Sequence, residues 1–323
     1  LISNKIYVTD CSMNLYWWCK DNLVVTNPTY ETMMRLGKED TIARNHIPAE
    51  MKLYSERGNT LILPFGVLYA IWPFIKEGGP LSYGSMFNSC EVVMNKYWKP
   101  TDPLFDYQET AVQQMIVAKG GILEAAAGSG KTNMGIEIAK RIGQNTLWLC
   151  HTSDLLRQTV KRIHQLYPQI NVGTITEGDV RMVKNGITVA TIQTMVNVDE
   201  DLYANAFNTV ICDECHHVCG SPTLRKMFVK VVEKIPARYK YGLSATLTRA
   251  DTMIKSMYAT LGCDINGNFA PVYKIEKEKT NTLVAKHIRV DLETEYSYTC
   301  LNDDGSFDYM ALIDYLSSNK GTQ

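Results

Sequence analysis

Short apolar runs alternate with amphipathic segments over much of the chain. Six of the runs are almost continuously apolar or β-branched, as expected for strands covered on both faces of a parallel sheet. They lie at residues 121–125, 145–151, 171–176, 187–195, 207–214 and 239–246. Segments with apolar residues at helical spacing, such as 153–167 and 221–235, lie between them. This pattern predicts a doubly wound α/β domain, with helices on both faces of a parallel sheet.

The first part of the chain has a different pattern, rich in aromatic residues and turn signals. Residues 27–37 predict a short helix, and Arg57-Gly58-Asn59 predicts a hairpin turn. The apolar run 61–75 contains two prolines and a glycine, and it predicts a strand, a turn and a buried helix. Two prolines within Lys99–Pro103 predict a linker.

These changes of pattern predict three parts. A small α+β domain is expected over residues 1–98 and the α/β domain over 99–298, with a terminal segment over 299–323.

Composition narrows the class of protein. The chain has 323 residues and a net charge of −1, so any contact with nucleic acid must come from a local basic patch. The longest apolar run falls short of the roughly 20 residues that a membrane span needs, and no basic-then-apolar leader begins the chain. Nine irregularly spaced cysteines do not form a disulfide framework. We therefore expect a cytoplasmic protein without a membrane partner, with its thiols reduced.

A glycine-rich stretch lies between a predicted strand and a predicted helix. Ala127-Gly128-Ser129-Gly130-Lys131-Thr132 is typical of a phosphate-binding loop, in which backbone N–H groups and a helix N-terminus surround phosphate oxygens. Lys131, expected to face solvent, would reach the β- and γ-phosphates of ATP, and Thr132 would bind Mg²⁺. Ala125 replaces the usual first glycine, so the alternative is a glycine-rich turn before an ordinary helix.

The stretch Cys212-Asp213-Glu214-Cys215-His216 allows three interpretations. It matches the attachment pattern of c-type haem, and with His217 and Cys219 it resembles half a zinc site. It is also an apolar strand that ends in two carboxylates. In that case Cys212 points away from the side occupied by Asp213, because side chains alternate along a strand. Asp213 would then bind Mg²⁺, and Glu214 would orient the attacking water. The phosphate loop upstream and the absence of a leader favour the third interpretation.

Taken together, the motifs over residues 103–298 resemble those of superfamily 2 helicases and translocases, in the branch of type III restriction subunits and DNA repair helicases. Tyr107-Gln108 resembles the adenine-reading Q element, and residues 125–132 resemble motif I. The segment 151–158 is similar to motif Ia, with His151 in place of proline, and 191–195 is similar to motif Ib. Residues 213–216 are a DExH version of motif II, and 243–251 resemble motif III.

The resemblance implies a RecA-like fold and a role for each motif. His216 and the motif III residues Ser244, Ala245 and Thr246 would couple the nucleotide site to nucleic acid. The motif Ia and Ib residues would contact the nucleic-acid backbone, which positions the protein without reading sequence. These residues are Thr152, Gln158, Thr191, Gln193 and Thr194. Taken singly, each of them is equally consistent with a helix cap or a strand end.

Two further implications concern parts outside the motor lobe. The segment 57–71 resembles the region that precedes the motor in phage branch-migration helicases, where a small domain assists duplex binding. No motif of a second RecA-like lobe follows motif III, so the second lobe is expected in a longer form of this chain or in a partner chain. This chain alone would then bind nucleotide but hydrolyse it poorly.

The sequence thus favours an ATP-dependent DNA helicase or translocase with Mg²⁺ and duplex or branched DNA as partners. It leaves open an RNA helicase of the DExH type, a non-catalytic nucleotide-gated binding module, and a metal or haem protein.

Overall fold

The computed structural model describes residues 1–77, 84–88, 94, 97–219, 222–245, 247 and 253–275. The predicted coupling residue Thr246, the last part of the α/β domain and the segment 299–323 lie outside these ranges.

The first 77 residues form short strands and helices. In chain order they are β1 (Lys5–Thr9), α1 (Met13–Asn22), β2 (Val24–Thr26), α2 (Pro28–Arg35), α3 (Glu39–Arg44), β3 (Glu50–Lys52), β4 (Ser55–Arg57), β5 (Thr60–Pro64) and α4 (Leu68–Glu77). Asn27 caps α2, since its side chain accepts a hydrogen bond from the Thr29 backbone N–H. Arg57 pairs with Thr60 across a two-residue turn, and Gly58 has a φ of 56°. The predicted short helix and hairpin turn are therefore confirmed.

Residues 97–105, which include the predicted linker, contain no helix or strand and precede the α/β part. Its elements are α5 (Asp106–Ala118), β6 (Gly120–Ala125), α6 (Lys131–Ile142), β7 (Thr146–Cys150), α7 (Ser153–Leu166), β8 (Asn171–Thr176), β9 (Asp179–Arg181), β10 (Gly186–Thr191), α8 (Ile192–Met195), α9 (Glu200–Tyr203), β11 (Thr209–Asp213), α10 (Pro222–Val232), β12 (Tyr239–Ser244), α11 (Ile254–Leu261) and β13 (Tyr273–Ile275).

Eight of these strands form one twisted sheet in the order β13-β6-β12-β11-β7-β10-β8-β9. Neighbouring strands are parallel except β8 and β9, which are antiparallel. The predicted α/β fold is confirmed. The largest boundary error concerns the predicted strand 187–195, which ends at Thr191, and the next four residues are the short helix α8.

Two apolar cores lie on opposite faces of this sheet. One contains buried residues of α5, α6 and α7, for example Val112, Ile136 and Ile163. The other contains residues of α10 and α11, for example Phe228 and Met257. Sheet residues alternate between the two cores as a pleated strand requires, and helices cover both faces as predicted.

The N-terminal elements pack into the second of these cores. Ile6, Leu15 and Ile71 belong to the same buried cluster as Met257 of α11. The backbone N–H of Cys263 donates to the carbonyl oxygen of Gly66 at 2.9 Å. Both parts lie within one compact unit. The division near residue 98 stays a prediction, and the two sides of it share a continuous core.

Among the helices of the described ranges, none combines the length and apolar character that crossing a bilayer requires.

Candidate functional site

The glycine loop connects the carboxyl end of β6 to the first turn of α6. Gly128 and Gly130 have φ values of 80° and 85°, in the left-handed region that residues with a side chain rarely adopt. A Cβ on Gly130 would lie 2.3 Å from the side-chain amide nitrogen of Gln108, so any other residue here would require Gln108 to move. The loop therefore has the backbone shape and the location that the sequence predicts for a phosphate-binding loop.

The Q-element residues lie directly against this loop. Gln108 Nε2 donates to the carbonyl oxygen of Ser129 at 2.8 Å, and Tyr107 Oη donates to the same oxygen at 3.2 Å. Gln108 Oε1 accepts from the backbone N–H of Phe105. The oxygen and the nitrogen of the buried Gln108 side-chain amide are thus both hydrogen-bonded to the backbone. These bonds attach the start of α5 to the glycine loop.

Phe105 was not predicted as a site residue. Its ring stacks on that of Tyr107, with centroids 5.8 Å apart and 9° between the ring planes. It remains 64% exposed beside the loop. The available signal was an aromatic residue three positions before Gln108. An exposed, stacked ring of this kind is suited to binding the flat face of a base.

Two carboxylates end β11, as predicted. Asp213 is 5% exposed, and its Oδ1 accepts from the backbone N–H of Glu214 at 3.0 Å. Burial, together with the neighbouring Glu214 carboxylate, raises the pKa of Asp213 to about 6. Cys212 belongs to the buried core on the opposite face of the sheet, so it points away from Asp213 as expected.

Glu214 lies at the centre of the site. Its φ of 48° is unusual for a residue with a side chain, and such strain is concentrated at functional positions. Its Oε1 lies 3.8 Å from Lys131 Nζ, and its Oε2 lies 3.3 Å from His216 Nδ1. A hydrogen bond with His216 lowers the pKa of Glu214, burial opposes this, and the charge of Lys131 lowers it further.

Lys131 is less accessible than the sequence suggested. Its side chain is 11% exposed, so the expectation that it faces solvent was wrong. The Glu214 carboxylate accounts for this position, because it attracts the ammonium group towards the end of β11. Thr132 lies next to it in the first turn of α6 and is half-buried.

Two of the predicted coupling residues, His216 and Ser244, meet at the end of β12. Ser244 Oγ lies 3.0 Å from His216 Nδ1. This contact arises because β12 lies between the loop strand β6 and the acidic strand β11. Ala245 follows Ser244 and is half-buried.

The five predicted nucleic-acid residues lie at the carboxyl end of β10 or in the segments that follow β7 and β10. Thr152 caps α7 by accepting from the Leu155 backbone N–H, and Thr191 Oγ1 lies 2.9 Å from Thr194 Oγ1. Gln158 and Gln193 are exposed. Thr152, Thr191 and Thr194 thus each make a hydrogen bond within the protein. The predicted contacts with nucleic acid stay predictions.

In the described residues, the structure does not support the interpretation of Cys212 and Cys215 as metal ligands. Cys212 and Cys215 are fully buried, and burial raises the pKa of the Cys212 thiol far above its usual range. A Cβ on Gly242 would lie 2.7 Å from Cys215 Sγ, so this thiol packs tightly against β12. Across the described ranges, no group of three or more His, Cys, Asp or Glu side chains is arranged to hold a metal ion.

A buried network of charged groups fixes the helices around the loop. Glu137 of α6 is 3% exposed and pairs with Lys140 at 3.1 Å and with Arg141 at 2.5 Å. Tyr167 also donates a hydrogen bond to Glu137. The guanidinium of Arg141 forms two hydrogen bonds with Glu109, the residue after Gln108. This network holds α5 and α6 together behind the contact between Gln108 and the loop.

Glu137→Gln should lower the free energy of unfolding by about 3–5 kcal/mol, since losing one partner of a buried ion pair leaves an uncompensated charge. Glu109→Gln is the matched control, because it removes a carboxylate from the same arginine at a half-exposed position. Its cost should be about 1 kcal/mol or less. Urea unfolding of the two variants and the parent measures the difference. Equal losses in both variants would contradict the assignment of Glu137 as the buried centre of the network.

The sheet, with a glycine loop after β6 and an acidic end at β11, defines a RecA-like P-loop lobe. Residues 101–249 match the family model described as "Type III restriction enzyme, res subunit". This match and the curated relatives described next confirm the resemblance of the matched part to superfamily 2 helicases.

Two curated relatives and one solved structure illustrate the similarity. The "Putative ATP-dependent RNA helicase L396" of Acanthamoeba polyphaga mimivirus is 28% identical over 79% of this chain and 47% of its own length. The "DNA 3'-5' translocase XPB2" of Sulfurisphaera tokodaii is 30% identical over 54% of this chain and 39% of its own length. This chain therefore spans less than half the length of either relative. The crystal structure of the UvsW helicase from bacteriophage T4 has a similar fold, with a TM-score of 0.59 at 17% identity, and the match covers 84% of this chain and 96% of that one.

Proposed function

We propose that this chain is the nucleotide-binding lobe, with its N-terminal segment, of an ATP-dependent motor that moves on or remodels DNA. The observation that carries the proposal is the contact of Glu214 with Lys131 on one side and His216 on the other. It connects the phosphate-binding loop, the acidic strand end and, through Ser244, motif III.

ATP is proposed to bind at the glycine loop. Lys131 would reach the β- and γ-phosphates from the first turn of α6, where the helix N-terminus adds partial positive charge. Ser129 Oγ is buried and has no hydrogen-bond partner in the part of the chain that the structure describes, which suits a site that accepts a polar ligand. Phe105 and Tyr107 would contact the base, and Gln108 would hold the loop in position.

Magnesium is proposed to be held by Thr132 and Asp213. Their oxygen atoms are the kind of ligand that Mg²⁺ prefers, and buried Asp213 favours a bound cation because its carboxylate is costly to ionise alone. When bound, Mg²⁺ would offset negative charge on the phosphates. Glu214, kept ionised by His216 and Lys131, would orient the attacking water and accept its proton.

DNA is proposed as the track because of the motif III sequence and because the XPB2 relative is named as a DNA translocase. The N-terminal segment would assist duplex binding. A second RecA-like lobe, in a longer form of this chain or in a partner, would supply the arginines that contribute about 10³–10⁵ in rate to such enzymes. Hydrolysis by this chain alone would therefore be slow.

RNA is the second candidate, because the mimivirus relative is named as an RNA helicase. ATP hydrolysis by a protein that carries both lobes would be measured with duplex DNA, single-stranded DNA and RNA at equal nucleotide concentration. Stimulation by DNA alone supports the proposal, whereas stimulation by RNA alone would replace DNA as the track. Nucleic-acid binding that depends on ATP without any turnover would indicate a nucleotide-gated binding module instead.

A further inference from the structure

Three imidazole rings lie in a row at the carboxyl ends of two adjacent strands. His151 follows β7, and His216 and His217 follow β11, which pairs with β7 through Cys212 and Leu149. The ring centroids of His151 and His217 are 4.0 Å apart with 26° between the planes, and those of His216 and His217 are 4.2 Å apart. We refer to His216, His217 and His151 as the histidine ladder.

The two ends of the ladder contact residues with different proposed roles. At one end, His216 Nδ1 lies 3.3 Å from Oε2 of Glu214, the carboxylate proposed to orient water. At the other end, His151 Nδ1 lies 3.5 Å from Nε2 of Gln193, an exposed residue of motif Ib. The ladder therefore forms a continuous series of side-chain contacts from Glu214 of the nucleotide site to Gln193 of the proposed nucleic-acid surface.

Packing makes these contacts sensitive to displacement. The centroid distances are shorter than the roughly 4.5–7 Å typical of aromatic pairs, so His217 is in close contact with both of its neighbours. His217 is half-buried, and burial and its two imidazole neighbours lower its pKa to about 4. The middle ring is therefore uncharged near neutral pH, which allows close stacking. Glu214 lies at the His216 end of the ladder. Its backbone is strained, and such a conformation persists only when the surrounding residues hold it in place.

We propose that the histidine ladder is the contact through which nucleic acid bound at Gln193 sets the position of Glu214, with His217 and His151 as positioning residues. The inference rests on the function proposed above and adds the route by which the track would control hydrolysis. A Gln193 side chain moved by nucleic acid would displace His151, and the stacked rings would pass that displacement to His216. Lying between two sites does not establish coupling, so variants of the middle ring are needed to measure it.

The test compares His217→Ala with His217→Phe in a protein that carries both lobes, using ATP hydrolysis with and without duplex DNA. Alanine removes the stacked ring, and stimulation by DNA should fall by about 5- to 150-fold, the usual range of coupling between two sites. Basal hydrolysis and the KM for ATP should stay within about twofold, since no atom of His217 is assigned to the reaction. Phenylalanine restores a flat ring and should restore most of the stimulation.

His164→Ala is the matched control, because His164 is an exposed histidine near the opposite end of α7 from the ladder. It should behave as the parent does. His151→Ala combined with His217→Ala should lose no more stimulation than His217→Ala alone, since both act in one route. Thermal unfolding of each variant shows whether the fold is kept.

The outcomes separate the inference from the proposed function. Parent-like stimulation in His217→Ala would overturn the ladder, as would an equal loss in the alanine and phenylalanine variants or an equal fall in basal and stimulated rates. If the parent itself hydrolyses ATP at the same rate with and without any nucleic acid, the proposed motor function fails.

Discussion

Lys131→Ala should reduce the affinity for Mg²⁺–ATP by about 10²-fold or more. A charge-assisted hydrogen bond to phosphate contributes about 1.5–3 kcal/mol, and Lys131 is placed to form such bonds with two phosphates. Stability should change little. The Lys131 ammonium lies 3.8 Å from Oε1 of Glu214, and that carboxylate keeps His216 as a second partner when Lys131 is removed. Isothermal calorimetry of this 323-residue chain with ATP and Mg²⁺ measures the affinity.

Lys161→Ala is the control for loss of a positive charge. Lys161 is an exposed residue of α7 in the same lobe, so its loss should leave nucleotide affinity within about twofold of the parent. If Lys131→Ala binds ATP as tightly as the parent, the stretch 125–132 is a glycine-rich turn before an ordinary helix and not a phosphate-binding loop.

The sheet could be predicted because its strands are buried on both faces. Four of the predicted strands, those ending in Ala125, Cys150, Thr176 and Asp213, end within about one residue of the observed positions. Residues after Thr191 were misassigned because Ile192 and Thr194 have the branched side chains that strands favour. The Oγ1 atoms of Thr191 and Thr194 lie 2.9 Å apart where the chain enters α8, and a local pattern does not reveal this contact.

The parts of the candidate site that are formed by residues adjacent in the sequence could be predicted. The alternation of Cys212 and Asp213 across β11 follows from strand geometry, and it distinguishes an acidic strand end from a metal-ligand pair. The stacking of His151 on His217 joins residues 66 positions apart in number, and Tyr167 reaches Glu137 across 30 positions. Contacts of this kind depend on strand order, which periodicity does not give. The packing of the N-terminal elements on α11 is a further example.

Glu214→Gln should keep the binding of Mg²⁺–ATP and reduce hydrolysis by about 10²–10⁴-fold, the typical effect of losing a general base. The carboxylate is held ionised by His216 and Lys131, so it is able to orient water and accept a proton. Glutamine has nearly the same shape and the same backbone cost at a φ of 48°, so the comparison isolates the charge. Single-turnover hydrolysis in a protein with both lobes, with ATP affinity measured in parallel, separates the chemical step from binding.

Three companion variants show whether the effect belongs to Glu214 alone. Asp213→Asn should act differently, weakening Mg²⁺-dependent ATP binding because the carboxylate proposed to hold the metal is lost. Cys212→Ala and Cys215→Ala should retain most of the hydrolysis and lose only stability, by about 1 kcal/mol or somewhat more, because both thiols are buried. Metal analysis of the parent and the cysteine variants completes the set. Parent-like turnover in Glu214→Gln, or loss of a bound metal together with all activity in both cysteine variants, would overturn the assignment of this strand end to ATP hydrolysis.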